Sequence, residues 1–161
     1  MASVMPPRPE TRPQTHYVAI ATNVQQRDIG AQLPKLLPEV FGWLGAQGVA
    51  PAGPPFFRYT RMDASGLEVE VGVPVAVATA GSGRVRPGSL PAGRYLTLTY
   101  LGDFSGVHQA NVDIHDWARK QGLTFTPLDA GGAHVEFYVT DPQTEPDVAK
   151  WVTQVSVRLE D

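Results

Sequence analysis

Residues 134–142 read HVEFYVTDP and set a carboxylate in the middle of an apolar, aromatic run. Side chains alternate across a β-strand. A strand here puts Val135, Phe137 and Val139 on one face and His134, Glu136 and Tyr138 on the other. Two readings are open: the Glu136 face is wet and its charge solvated, or it lines a cavity that favours negative charge. In the second case the ligand chemistry is constrained. A carboxylate withdrawn from water favours a compensating positive charge. Aromatic faces attract cations by roughly 0.5–2 kcal/mol each. Flat or bulky lipophilic cations satisfy both conditions, and simple polar metabolites satisfy neither.

Other chemistry-bearing residues give weaker signals. The four histidines are His16, His108, His115 and His134. His108 and His115 lie two helical turns apart, roughly 10 Å, too far to share a metal, and no metal or other cofactor is expected. Ser105 in DFSGVH lacks a G-x-S-x-G elbow and reads as a helix N-cap. The glycines of GSGRVRPG precede no clear phosphate-cradling helix. Glu68 and Glu70 alternate with valines in LEVEVGVPV; either one adds a second carboxylate to the site or both sit on a solvated strand face.

Composition bounds the class. The chain has 161 residues, 42% hydrophobic and 18% charged, which suits one globular domain with a sizeable core. Its net charge is −3 and its 13 Lys and Arg are scattered, so no basic nucleic-acid surface is expected. The absence of cysteine removes disulfides, thiol catalysis and thiolate metal sites. No apolar run reaches the roughly 18 residues of a membrane span, and a cytoplasmic protein is expected. The Pro-rich segment 1–14 reads as a flexible tail without a secretory core.

The remainder, 15–161, reads as a single duplicated domain. YVAIATNV at 17–24 recurs as YLTLTYLG at 95–102, WLGAQG at 43–48 as WARKQG at 117–122, and FFRY at 56–59 as VEFY at 135–138. Three segments in the same order point to an internal repeat: copy one at 15–75, a Gly- and Pro-rich connector at 76–93, and copy two at 94–159. Each copy reads strand, helix, strand, strand. In copy one the helix covers 32–47, with Leu33, Leu36, Leu37, Val40, Phe41 and Leu44 at helical spacing; Pro38 should kink it or move its start. Strands follow near 55–62 and 67–75. Copy two has a strand at 94–101, a helix at 106–121 with Val107, Ala110, Ile114, Trp117 and Ala118 buried, and strands near 133–140 and 151–159.

The expected fold class is therefore α+β: duplicated β-α-β-β units forming an antiparallel sheet, both helices on one face, and a ligand groove at the pseudo-twofold. With Val135 and Phe137 directed at the helices, Glu136 and Tyr138 fall on the open face. By the repeat, Phe57 and Tyr59 join them, with Trp151 and His134 at the margin. Arg58 then points toward the helix, an awkward place for a charge.

The segments LPAGRYLTLTYLGDFSGVHQANVDIHDWARKQG at 90–122 and VEFYVTDPQTEPDVAKWVTQVSVRL at 135–159 resemble the gyrase-inhibitor-like small-molecule-binding domain, also the effector-binding part of AraC- and MerR-type regulators. The resemblance covers about 15–159. It implies a pocket at the pseudo-twofold for lipophilic, often cationic, compounds, with the family's acidic residue at Glu136 and Tyr138 beside it. Some stand-alone members resemble hydrolases of cyclopropane-bearing DNA-alkylating toxins, in which a pocket glutamate helps water open the strained ring. The leading expectation is a stand-alone multidrug-binding protein whose partners are lipophilic cationic or aromatic small molecules. The alternatives are such a hydrolase, using Glu136 and Tyr138, and a regulatory or inhibitory subunit acting on a protein partner. The chain shows no DNA-binding module, so a regulatory role would need a partner.

Overall fold

In a computed structural model that describes residues 3–160, the chain is α+β. In order, it forms β1 (Ser3–Val4), β2 (Arg8–Arg12), β3 (Thr15–Val24), α1 (Ile29–Gln32), α2 (Leu37–Gln47), β4 (Phe56–Asp63), β5 (Gly66–Pro74), β6 (Arg86–Leu90), β7 (Gly93–Leu101), α3 (Val107–Lys120), β8 (His134–Tyr138) and β9 (Val152–Arg158). These make two compact units. An N-terminal unit spans Gln14–Pro91, and a C-terminal unit runs from Ala92 onward and takes in the segment through Pro13. Among the described residues no helix is long and apolar enough to cross a membrane.

The N-terminal unit orders its antiparallel strands β4-β5-β3-β6. Val18, Ile20, Val73, Val75 and Val85 pack against Val40 and Leu44 of α2. Pro38 resolves as one of the two outcomes expected: it lies in the first turn of α2, after a separate 3-10 turn at Pro34–Leu36. There its missing N–H costs nothing, because the first amides of a helix have no intrahelical partner. The helix stops at Gly48, whose φ of 67° is left-handed, and the Val49 N–H closes onto the Leu44 carbonyl at 3.0 Å.

The C-terminal unit repeats this plan. β7, β9 and β8 are neighbours in that order, and β1 and β2 pair with β7. Leu96, Leu98, Tyr100, Val155, Val157 and Leu159 meet Val107, Ala110, Ile114 and Ala118 of α3. Ser105 is not the helix cap. Asp103 fills that role for the 3-10 turn before α3, its carboxylate accepting the Ser105 N–H.

Two segments differ from their sequence expectation. Residues 8–12, read as tail, form a strand from Arg8↔Thr97 to Arg12↔Gly93. The connector contains β6, which pairs with β3. Both strands carry a proline, Pro9 and Pro87, and each pairs with a single neighbour. An edge strand tolerates proline and needs no apolar alternation, so composition alone mimics a loop.

The face assignment is reversed. Glu136 pairs with Val155 and His134 with Val157, and both valines lie in the α3 core. Glu136 and Tyr138 thus take the helix-facing phase, while Val135 and Phe137 take the other. The same holds in the N-terminal unit. Phe57 and Tyr59 pair with Val71 and Val69, in phase with the α2-packed Val73. Arg58 points away from the helix, which removes the conflict in the sequence reading. The repeat correspondence survives: Phe57 and Glu136, and Tyr59 and Tyr138, occupy matching positions of matching strands.

Candidate functional site

Three side chains of one strand face and one helix residue form a hydrogen-bonded chain. His134, Glu136 and Tyr138 project from β8 at spacing two, and Asn111 descends from the first half of α3. Asn111 Nδ2 donates to Glu136 Oε2 at 2.7 Å and to the Val107 carbonyl at 2.9 Å. The Tyr138 hydroxyl donates to Glu136 Oε1 at 2.6 Å. Asn111 Oδ1 lies 2.5 Å from His134 Nε2. Glu136 is only 5% exposed, so its charge is held away from bulk water by an amide and a phenol. Both of these donors are uncharged.

His134 is buried beneath α3. Its ring stacks on that of His115, centroids 5.6 Å apart at 26°, and Phe125 meets the His115 ring edge-on at 5.0 Å. Burial, and then the charge of His115, push the His134 pKa down to about 3. Its imidazole is therefore neutral throughout the physiological range.

An aromatic group borders the carboxylate. Phe104, in the turn before α3, meets the Tyr138 ring edge-on at 5.5 Å and the Trp151 ring at 5.0 Å and 33°. Trp151 is fixed by its indole N–H, which donates to the Glu145 carbonyl at 2.9 Å. Phe104 is 42% exposed, so this group presents apolar ring surface.

Of the sequence candidates, Glu136, Tyr138, His134 and Trp151 gather here. Phe57 and Tyr59 are buried in the N-terminal unit on the corresponding strand face. Asn111 and Phe104 were not singled out. Asn111 had a signal: it falls one turn after Val107 on the margin of the buried stripe of α3, where a polar side chain needs a partner. Phe104 lay unremarked inside LGDFSG.

Glu68 and Glu70 sit on the opposite strand phase. Glu70 accepts from the Tyr17 hydroxyl at 2.6 Å, and Arg58 donates to the same Tyr17 oxygen at 2.9 Å and to the Ser89 carbonyl at 3.0 Å. Burial, with Glu70 adding, pushes the Tyr17 phenol well above its ordinary value. Glu68 accepts from the Thr60 hydroxyl at 2.8 Å. Glu70 thus belongs to an ion-bearing cluster of its own. The C-terminal unit carries another on its helix-free face. Arg12 lies 4.8 Å over the Phe137 ring, pairs with Glu10 at 2.7 Å and donates to Ser156 Oγ at 3.2 Å. Among the described residues no group of three or more His, Asp or Glu could hold a metal ion.

The fold is a duplicated β-α-β-β domain, and its buried carboxylate lies beside aromatic rings. The chain belongs to the GyrI-like small-molecule-binding domain family, whose model matches residues 5–160. No curated protein sequence matches the chain. The C-terminal domain of EcmrR is similar at a TM-score of 0.84 and 17% identity, over 97% of this chain and 98% of that one. Against EcmrR in its DNA complex the TM-score is 0.82, and this chain spans 57% of that chain's length. SAV2435 bound to tetraphenylphosphonium is similar at 0.74 and 12% identity, over 97% of this chain and 94% of that one. A hydrolase encoded by lin2189 of Listeria innocua follows at 0.62 and 12%, over 96% and 91%. At these identities the likeness is one of fold.

Proposed function

We propose that this domain binds lipophilic cations, with Glu136 offsetting the ligand's charge and Tyr138 and Trp151 supplying flat apolar contact. The observation that carries this is the Glu136 carboxylate itself: 5% exposed, hydrogen-bonded by Asn111 and Tyr138 and bordered by aromatic rings. A desolvated carboxylate gains most from a diffuse cation that also covers apolar surface. The tetraphenylphosphonium complex of SAV2435, a protein of similar fold, is consistent with this ligand class.

Titration calorimetry with tetraphenylphosphonium and with neutral triphenylphosphine oxide tests it. Glu136→Gln keeps the shape and removes the charge. It should weaken phosphonium binding about ten- to a hundredfold, the ~1.5–3 kcal/mol of a charged contact, and leave the oxide within about twofold. Equal losses for both ligands would contradict the charge role.

A second reading is hydrolysis of a strained electrophile, favoured by the Tyr138–Glu136 contact at 2.6 Å. Glu136 would take a proton from water while Tyr138 orients the substrate. Incubation with a cyclopropane-bearing alkylator, followed by mass analysis for substrate plus one water, decides it; unchanged substrate across several such compounds eliminates the reading.

A further inference from the structure

The hydrogen bonds around Asn111 admit only one arrangement of protons. An asparagine side chain has two N–H donors on nitrogen and only acceptor capacity on oxygen. Two of the neighbours here, the Val107 carbonyl at 2.9 Å and the Glu136 carboxylate at 2.7 Å, can only accept. Both Nδ2 protons are therefore committed to them. Turning the amide over would set Oδ1 against two other oxygens at those distances, a repulsive contact. Oδ1 must face His134, and at 2.5 Å from Nε2 it requires a proton on that nitrogen. His134 thus carries a proton on Nε2, and burial, which pushes its pKa down to about 3, leaves Nδ1 unprotonated.

We propose that His134 is a positioning residue for Glu136, acting through Asn111 as a neutral Nε2–H donor that locks the amide and hence the carboxylate. The chain of donation runs His134 to Asn111 to Glu136, and Tyr138 closes it from the other carboxylate oxygen. His134, Glu136 and Tyr138 come from one strand phase, so β8 supplies the charge, its second donor and the group that fixes its first donor. α3 supplies the bridge. Asn111 also folds back onto the carbonyl one turn earlier, which fixes its χ angles. His115 packs over the relay: its Nδ1 lies 2.8 Å from the Asn111 carbonyl, and its ring stacks on that of His134. Because its donors are neutral, the relay holds the carboxylate in place without itself adding a positive charge. A histidine that carried a proton would instead form an internal counter-ion. This inference deepens the cation-binding reading and rests on it for the ligand, while the proton on His134 Nε2 stands on geometry alone.

The test uses the full chain. Nitrogen-resolved NMR of the histidine rings in the ligand-free wild type should show His134 protonated at Nε2 and bare at Nδ1 at neutral pH. His134→Leu removes the donor and should weaken tetraphenylphosphonium binding about tenfold, with triphenylphosphine oxide within about twofold. His134→Gln restores an N–H and should recover most of the loss. A ring protonated at Nδ1, or at both nitrogens, overturns the proposal whatever the variants do. So does equal weakening of both ligands in His134→Leu, or failure of His134→Gln to restore the difference between them. If the wild type bound no phosphonium, the functional reading would fall, and the ring spectrum would still decide the relay.

Discussion

His134 is 4% exposed, and holding an imidazole neutral at that depth has a consequence in acid. Its pKa is about 3 in the folded chain against an ordinary 6.5. Between those values the unfolded chain binds the extra proton and the folded chain does not. Its contribution to stability is therefore complete above about pH 6.5 and is lost as the pH falls toward 3, at up to about 1.4 kcal/mol per unit. Urea unfolding at pH 4, 5.5 and 7 should show this slope in the wild type and a flatter one in His134→Gln. Identical slopes would mean that the ring is charged or solvated in the fold. Glu136 stood out in the sequence because a carboxylate in an aromatic strand is unusual. His134 and Asn111 did not, because each becomes unusual only once burial and a partner are known.

At the scale of elements, the turn into α3 depends on a close approach. A Cβ on Gly106 would lie 2.1 Å from the Tyr100 hydroxyl oxygen, and Tyr100 is 3% exposed. Gly106→Ala should displace Tyr100 and cost about 1–3 kcal/mol of overpacking strain, read as a lower urea midpoint with an unchanged slope. Near-UV circular dichroism should report the moved ring. β2 makes a second element-scale prediction. Removing residues 2–13 strips β7 of its outer partner and lifts Arg12 from Phe137 and Ser156. Loss of those hydrogen bonds and the cation–π contact should cost at least about 2 kcal/mol, with faster proteolysis in the C-terminal unit. Wild-type stability in the truncated chain would show that β2 is only loosely attached. Helices and central strands were legible because each has one apolar stripe or phase. α3 buries Val107, Ala110, Ile114 and Ala118 as the spacing predicts, with Trp117 half-buried. The edge strands β2 and β6 were not legible, because a strand with one neighbour and a proline has no such signature.

For the molecule as a whole, the prediction is a linkage effect. A ligand that binds only the folded chain raises its stability by about 2.7 kcal/mol at a hundred times Kd. Tetraphenylphosphonium should therefore raise the melting temperature of the wild type in a concentration-dependent way and do so much less in Glu136→Gln. A flat response up to millimolar ligand would count against cation binding. The sequence by itself determined that the chain is a duplicated β-α-β-β domain and that His134, Glu136 and Tyr138 share one strand face. Repeats and alternation are properties of order along the chain, and order is what a sequence contains. Which of the two faces of β8 the helix covers was decided only by the tertiary structure. His134 through Phe137 are all buried, so alternation separates the faces without saying which is inside. Packing of Val155 and Val157 against α3 made that choice, and with it brought Asn111 to the carboxylate.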